Sequence, residues 1–183
     1  MLTELQLSGI SDQRLIQQCI AGSHQYQALL YKVFSPQMFG ICLRYASDYH
    51  SAEDILQEGF IKVFNNLDRY RGDGSFEGWL KRIFINTAIE YYRKSIRSYN
   101  FADLALAHQE SLDGKAISNM ATQELLRLIQ QLPVGYRTVF NLYVIEGYAH
   151  KEISKMLDIS EGTSKSQLAR ARATLQRLIK TQQ

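Results

Sequence analysis

The chain has 183 residues, of which 45% are hydrophobic and 21% charged, and its formal net charge is +3. This composition is typical of a soluble globular protein and argues against wholesale disorder, and the length accommodates one large domain or two small ones. No apolar run approaches the ~18 residues that cross a bilayer, and no basic residue precedes an apolar stretch at the N-terminus, so we expect neither secretion nor membrane insertion.

Helical spacing of apolar residues dominates the first half of the chain from Asp12 onward. Only 2 prolines and 11 glycines occur, and evenly spaced short strands are absent, which argues against a sandwich or barrel. Ser35 and Pro36 predict an N-cap and a first helical position within this stretch. Ser51, followed by Asp54, resembles a capping box and predicts the start of the next helix.

A loop rich in turn-forming residues follows this helix, between Arg69 and Ser75. Its residues Gly72, Asp73 and Gly74 tolerate positive φ, and Ser75 is suited to cap the next helix. Farther along, the helical pattern weakens between Ser98 and Asn119, where acids outnumber bases. We interpret that segment as a linker.

Helical spacing returns at Met120, is broken at Pro133 and resumes up to Gly147. Two shorter helices, at about 150–157 and 161–180, then have the spacing of a helix-turn-helix. The sequence therefore predicts an all-α protein with two small helical domains joined by a linker, the C-terminal one a helix-turn-helix. The predicted boundaries are 1–97, 98–119 and 120–183.

The last predicted helix carries residues that are suited to bind double-stranded DNA. From Gly162 to the C-terminus it carries five basic residues and no acid. Hydroxyls and amides near its N-terminus are suited to hold phosphates, while Lys165, Gln167 and Arg170 could reach base edges and the small Ala169 would allow close approach. An ordinary helical hairpin with a solvated outer face is the alternative, and the run of bases without acids favours DNA.

The helix after the loop is also basic and lies beside aromatic residues. Between Trp79 and Arg97 it carries five basic residues against Glu90 alone. Cations that follow a backbone, together with rings that stack on bases, are what single-stranded DNA requires. A solvated basic face, with Trp79 and Phe76 partly in the core, is the alternative interpretation.

The helix before the loop presents a different surface on the side away from its apolar stripe. Asp54, Gln57, Glu58 and Ile61 share that side, and an exposed isoleucine among polar residues suits a protein contact. Its acids would repel DNA. This face and the basic helix therefore require different partners.

Four motifs, taken in chain order, resemble one known family. They are AEDILQEGFIKVF (52–64), YRGD (70–73), FEGWLKRI (76–83) and GTSKSQL (162–168). On these motifs the chain resembles bacterial RNA polymerase sigma factors of the extracytoplasmic-function (ECF) group. The interval between the two predicted domains is too short for the extra domain of larger sigma factors, which points to this compact group.

The resemblance implies a sigma factor that binds core RNA polymerase and directs initiation at particular promoters. The first domain would dock on the polymerase clamp helices through Asp54, Gln57, Glu58 and Ile61 and recognise the melted minus-ten element. The minus-ten candidates, with a flipped-base pocket implied at Asn66, Tyr70 and Asn86, are Asn66, Tyr70, Arg71, Phe76, Trp79, Arg82, Asn86 and Arg93. The duplex minus-thirty-five element would contact Lys151, Thr163, Lys165, Ser166, Gln167, Ala169 and Arg170.

Three positions depart from the family pattern. Relatives often have an apolar residue at Ser164 and an arginine at Gln167, so base preference in the upstream element should not be copied from them. The usual glycine of the turn is Asp158, which can adopt the αL conformation at modest cost. We therefore expect the turn to form.

The same interpretation predicts a protein without catalytic activity and indicates which partners it binds. The four histidines are scattered and no phosphate loop occurs, so we expect no catalytic site, metal, cofactor or small-molecule substrate. Cys19 and Cys42 lie on apolar stripes and are expected to be buried reduced thiols in a cytoplasmic protein. The expected partners are core RNA polymerase, promoter DNA and an anti-sigma factor.

Two other function classes remain open from the sequence. A helix-turn-helix regulator that binds operators without polymerase would not need the acidic face or the aromatic loop. A helical adaptor that binds only proteins would leave DNA unprotected.

Overall fold

The computed structural model describes residues 10–98 and 120–181, so that nearly all of the predicted linker lies outside the described residues. Every regular element in these two ranges is helical, which confirms the predicted all-α class. In chain order they are α1 (Asp12–Ile20), α2 (His24–Tyr45), α3 (Tyr49–Asn66), a 3₁₀ turn (Leu67–Arg69), α4 (Phe76–Ser98), α5 (Met120–Gln130), α6 (Val134–Phe140), a π-helical turn (Asn141–Ile145), α7 (His150–Leu157) and α8 (Glu161–Thr181).

The N-terminal region, residues 10–98, is built around α2, which packs against α1, α3 and α4. Aromatic rings fill the centre: Phe60 meets Phe84 edge-on at 5.2 Å, and Phe34 meets Phe76 edge-on at 5.5 Å. Gly59 lets α3 approach α4 closely, because a Cβ at this position would overlap the ring of Phe84. A substantial apolar core therefore supports the loop that precedes α4.

The predicted helix start at Ser35 and Pro36 is wrong. Helix α2 runs through Pro36 without interruption. Phe34 on one side of the proline and Met38 and Phe39 on the other are all buried in the same core. Their burial outweighs the hydrogen bond that proline cannot donate, so tertiary packing overrides the local signal.

The predicted capping box at Ser51 is also wrong by one turn. Helix α3 starts at Tyr49, and its N-cap is Asp48, whose carboxylate accepts a hydrogen bond of 2.7 Å from the Ser51 amide. Ser51 is itself buried inside the first turn. Aspartate and serine are comparable N-caps, so local sequence alone did not separate them.

The C-terminal region, residues 120–181, agrees closely with the predicted breaks. Pro133 is the N-cap of α6, and Gly147 has a positive φ of 79° after the π-helical turn. Helices α7 and α8 form the predicted helix-turn-helix. Asp158 in the turn adopts φ 57° and ψ 49°, as expected for the αL residue there.

The two regions pack against each other through a shared apolar cluster. Leu126, Val139, Leu142 and Ile153 of the C-terminal region belong to the same buried cluster as the N-terminal core. A second, smaller cluster lies wholly in the C-terminal region, at Leu128, Leu132, Ala171 and Leu175. The C-terminal region thus divides its apolar residues between its own core and the contact with its neighbour.

Both cysteines are buried and free, as predicted. Burial raises the pKa of Cys19 to about 11 and that of Cys42 to about 12, which keeps both thiols protonated and unreactive at neutral pH. Within the described ranges, no helix combines the length and the apolar character that crossing a bilayer requires.

Candidate nucleic-acid and protein interfaces

An open cavity of about 350 Å³ lies where the loop meets the start of α4. The hydroxyl of Tyr70 donates a hydrogen bond of 2.7 Å to the carbonyl of Gly74, which closes the loop over five residues. Ser75 caps α4 as predicted, because its hydroxyl accepts from the Gly78 amide at 3.1 Å. The lining residues are Arg69, Tyr70, Arg71, Asp73, Gly74, Ser75, Gly78, Trp79 and Arg82.

Three aromatic rings form the floor beside this cavity. Phe76 and Trp79 are stacked with centroids 5.7 Å apart and planes 19° apart, and Tyr70 lies within 5.6 Å of both. Tyr70 and Trp79 remain half-exposed, whereas Phe76 is 1% exposed. The predicted direct contact of Phe76 with DNA does not fit this burial. Phe76 instead supports the other two rings from below.

Arginines surround the exposed rings. Arg71 and Arg82, both predicted as DNA contacts, are exposed and line the cavity. Arg69 lines it as well and was missed by the sequence interpretation, although its place next to Tyr70 was a usable signal. Guanidinium groups beside half-exposed rings fit an unpaired nucleotide, with the cations on the phosphate and the rings against the base.

The other minus-ten candidates do not line this cavity. The Asn66 amide donates to the Lys62 carbonyl at 2.7 Å within α3, and Asn86 is exposed on α4. Arg93 points to the C-terminal region, where its guanidinium donates to the carbonyl of Met156. The structure therefore brings Tyr70, Arg71, Trp79 and Arg82 together and leaves Asn66, Asn86 and Arg93 outside the group.

The N-terminal turn of α8 is capped by side chains of the turn itself. Ser160 caps it by accepting from the Thr163 amide at 2.9 Å, and the two hydroxyls are 2.9 Å apart. The Ser166 hydroxyl donates to the Thr163 carbonyl at 2.9 Å. Exposed positions around this turn are Lys151, Lys165, Ser166, Ala169 and Arg170.

Two of the predicted upstream contacts have local partners. Arg170 donates to the Tyr136 hydroxyl at 3.2 Å, and that bond raises the pKa of Arg170. Gln167 is half-buried against Gly135, and its amide oxygen is enclosed without a hydrogen-bond partner among the described residues. The hydrogen bond to Tyr136 therefore orients the Arg170 side chain, whereas the Gln167 side chain would have to rotate outward to reach a base.

The serine that departs from the family pattern has its own partner. Ser164 is 0% exposed, and its hydroxyl lies 2.9 Å from Nδ1 of His150 on α7. The His150 ring is stacked on Tyr143 with centroids 4.5 Å apart. This pairing ties the start of α8 to α7 and satisfies a polar group in the core of the helix-turn-helix.

The predicted protein-binding face on α3 is fully open. Asp54, Gln57, Glu58 and Ile61 are all exposed, and Ile61 keeps 55% of its surface accessible. Lys62 lies beside the face, 3.7 Å from the Glu58 carboxylate. An exposed isoleucine flanked by carboxylates fits a basic and apolar protein surface.

In residues 10–98 and 120–181, no three histidine, cysteine or acidic side chains lie close enough together to share a metal ion.

Comparisons with known proteins match both regions separately. The Sigma-70 region 2 family profile matches residues 30–98, and the Sigma-70, region 4 profile matches residues 122–175. The RNA polymerase sigma-H factor of Pseudomonas aeruginosa is 30% identical over 191 residues, covering 98% of this chain and 96% of its own length. The ECF RNA polymerase sigma-E factor of Escherichia coli K12 is 30% identical over 178 residues, or 91% and 93% of the two chains.

A solved structure agrees with the fold. It is that of the sigma factor RpoE from Bartonella quintana in complex with the anti-sigma factor NepR. The similarity covers 85% of this chain and 98% of that one, with 20% identity and a TM-score of 0.55.

Proposed function

The chain belongs to the ECF-type RNA polymerase sigma factors, and from this premise we propose a division of labour between its two regions. The N-terminal domain, residues 1–97, docks on core polymerase and captures the melted minus-ten strand. The C-terminal domain, residues 120–183, reads the minus-thirty-five element as duplex. The observation that carries this proposal is the cavity of half-exposed rings and arginines, set apart from a basic helix-turn-helix on the same chain.

Polymerase docking is assigned to the open face of α3. Ile61 supplies an apolar centre, and Asp54, Gln57 and Glu58 supply a polar rim. Because these carboxylates disfavour DNA, the face is suited to a basic partner such as the clamp helices of the polymerase.

Strand capture is assigned to the cavity before α4. Tyr70 and Trp79 offer ring faces that every base can stack on, and Arg71 and Arg82 offer charge for the backbone. Such a site binds a base only after it has left the duplex, so its binding energy stabilises the melted state. No bond is made or broken, and we propose that the protein is not an enzyme.

Duplex reading is assigned to the N-terminal half of α8. Lys165 and Arg170 are exposed on this half of the helix and are suited to reach base edges in a major groove. Thr163 and Ser166 are engaged within the turn and serve to shape it. Lys151 on α7 adds a backbone contact.

A further partner follows from the relatives. The similar factor from Bartonella quintana was solved in complex with an anti-sigma factor. We propose a cytoplasmic factor that is likewise held by an anti-sigma protein until it is needed.

The test is run-off transcription with reconstituted core polymerase on genomic promoter fragments. The proposal expects new, discrete start points when the chain is added, and co-elution of the chain with core polymerase in gel filtration. Tight operator binding by the free chain without co-elution would instead identify a polymerase-independent regulator. A complex that co-elutes but leaves promoter DNA unprotected in footprinting would identify a protein-only adaptor.

Tyr70→Ala separates capture from docking in the same assay. We expect slower open-complex formation with unchanged co-elution, because Tyr70 lines the cavity and is not a member of the α3 face. Normal permanganate reactivity of promoter thymines in this variant would refute the capture role of the cavity.

A further inference from the structure

A buried serine of α8 holds a histidine of α7 through one atom of its ring. The Ser164 side chain is 0% exposed, and its hydroxyl lies 2.9 Å from Nδ1 of His150. Within residues 10–98 and 120–181, this is the one hydrogen bond that the Ser164 hydroxyl forms. Because the two residues belong to different helices of the helix-turn-helix, their bond fixes the ring against the start of α8.

The bond also selects the ring nitrogen that carries the hydrogen. A neutral histidine has a hydrogen on one ring nitrogen and a lone pair on the other. If Nδ1 of His150 carried the hydrogen, it would donate to the Ser164 oxygen, and the buried hydroxyl hydrogen would lack an acceptor at a cost of about 1–3 kcal/mol. Donation from the hydroxyl to the Nδ1 lone pair avoids this cost. The neutral ring therefore carries its hydrogen on Nε2.

The Nε2 atom of His150 is left accessible. The residue is half-buried, and Nε2 has no hydrogen-bond partner among the described residues. It is also absent from the polar atoms that this part of the chain encloses without a partner. The ring is stacked on Tyr143, with planes 22° apart. A donor that a buried hydroxyl and an aromatic ring hold in place is thus open to an external acceptor.

The surroundings of this donor are basic. Lys151 and Lys165, which follow the histidine and the serine in sequence, are both exposed. Arg172 is exposed as well, with its guanidinium carbon 6.0 Å from the centre of the Tyr143 ring. The carboxylate of Glu152 accepts a hydrogen bond of 2.8 Å from a backbone amide. Since the first helix of a helix-turn-helix crosses the DNA backbone, a phosphate oxygen is the acceptor that suits Nε2.

We propose that His150 binds a phosphate of the upstream duplex through Nε2, and that Ser164 is the positioning residue that fixes the tautomer for this bond. The inference rests on the proposed function, in which α8 reads duplex DNA, and adds to it a backbone contact without charge. Backbone contacts set the register of a protein on the duplex. This bond therefore helps to place Lys165 and Arg170 at their base edges.

Two substitutions at His150 separate a phosphate contact from a purely structural role. The glutamine amide reaches the position of Nε2 and can donate there, whereas the asparagine amide reaches only the position of Nδ1 and can pair only with Ser164. Binding of reconstituted holoenzyme to a labelled promoter fragment should weaken about tenfold in His150→Asn and much less in His150→Gln. The reverse order would overturn the proposal, because it would assign His150 to the pairing with Ser164 alone.

The salt dependence of binding tests whether the donor is neutral. At about pH 8.5, where histidine in model peptides is neutral, His150→Asn should weaken binding by the same factor at every salt concentration. Lys151→Ala is the matched control on the next residue. Because a bound lysine releases a counterion, its loss should reduce the slope of log K against log salt by about one. The same reduction in His150→Asn would overturn the neutral tautomer.

Uncharged phosphates in the DNA locate the acceptor. Single phosphates of the upstream duplex are replaced in turn by methylphosphonates. At one position the replacement should weaken binding of the wild type and leave binding of His150→Asn unchanged, because this variant has no bond there to lose. A scan in which every replacement affects both proteins equally would overturn the phosphate contact.

Nitrogen NMR of the histidine rings tests the role of Ser164 in the absence of DNA. In the free chain at the same pH, the His150 signals, identified by their absence in His150→Gln, should show the hydrogen on Nε2. A ring with its hydrogen on Nδ1 would overturn the positioning role. Ser164→Ala should populate both tautomers, and thermal melts should show that it folds, since alanine is the better helix former.

The effect of Ser164 on DNA binding should pass through His150. Ser164→Ala is expected to weaken promoter binding about two- to fivefold in the wild-type background and to have no further effect in His150→Asn. Equal effects in both backgrounds would overturn the coupling. Failure of the wild-type chain in run-off transcription would refute the proposed function and the phosphate contact with it, whereas the NMR measurement would still decide whether Ser164 fixes the tautomer.

Discussion

The two proposed DNA surfaces are built in different ways. The strand-capturing cavity is an extension of the N-terminal core: Trp79 stacks on the buried Phe76, which in turn meets Phe34. The duplex-reading helix carries its contacts on a solvated face, with Lys165 and Arg170 exposed. Folding and DNA binding are therefore coupled in the first surface and separable in the second.

Loss of the buried ring should have the largest effect. Phe76→Ala is expected to lower the free energy of unfolding by about 3–5 kcal/mol, because it removes a fully buried aromatic side chain that three other rings contact. Chemical denaturation measures this. Phe76→Leu, which keeps most of the volume, should lose far less. A Phe76→Ala chain as stable as the wild type would mean that the cavity is not supported by the core.

The next largest effect on stability is expected from the addition of a single methyl group. Gly59→Ala is expected to destabilise the chain by about 1–3 kcal/mol, because the new Cβ would overlap the buried ring of Phe84. Gly40→Ala in α2 is the matched control, since its added Cβ would have no atom within 4 Å apart from the adjoining backbone of its own helix. The control should gain stability from its higher helix propensity. Equal effects in thermal melts would contradict the close α3–α4 packing.

The N-cap of α3 gives a smaller, pH-dependent effect. Burial pushes the pKa of Asp48 up, but hydrogen bonds from the Ser51 amide and the Ser47 and Ser51 hydroxyls outweigh it, so the pKa lies below its ordinary 3.8. The stabilisation is therefore complete above pH 3.8 and is lost as pH falls through the lower folded-state value. At pH 7, Asp48→Ala should cost about 0.5–2 kcal/mol.

Chemical denaturation of the wild type and of Asp48→Ala at a series of acidic pH values tests the direction of this pH dependence. The difference in unfolding free energy between wild type and Asp48→Ala should shrink as pH falls below 3.8. A difference that grows toward low pH would contradict the cap.

The smallest effect on stability is expected on the recognition helix. Lys165→Ala and Arg170→Ala should leave the melting temperature unchanged, because both side chains are exposed. Each should weaken promoter binding about five- to a hundredfold if it contacts a base. Unchanged promoter affinity in both variants would reject this face as the reader. A loss of stability equal to the loss of affinity would remove the contrast between the two surfaces.

The sequence predicted the elements whose signals are local. The helix-turn-helix, the αL conformation of Asp158 and the cap at Ser75 depend on neighbouring residues, and all three are present. The predicted helix start at Pro36 was wrong, because burial of the flanking side chains against distant segments keeps the helix continuous through the proline.

Contacts between segments that are distant in the chain could not be predicted, because they leave no local pattern in the sequence. Gln130 and Asn141 cap a helix about ninety residues away, and nothing in their own surroundings identifies that role. The pairing of Ser164 with His150 likewise joins two helices across the turn. The sequence supplied the candidate residues of each proposed surface, whereas the fold decided which of them, such as Phe76, are buried.

The central claim is that one chain reads duplex and captures unpaired DNA when it is mounted on polymerase. Footprinting of the assembled complex on one promoter tests both halves at once. The account predicts protection of an upstream duplex segment together with permanganate-reactive thymines downstream, and loss of only the second signal in Tyr70→Ala. Protection without any reactive thymine in the wild-type complex would contradict it.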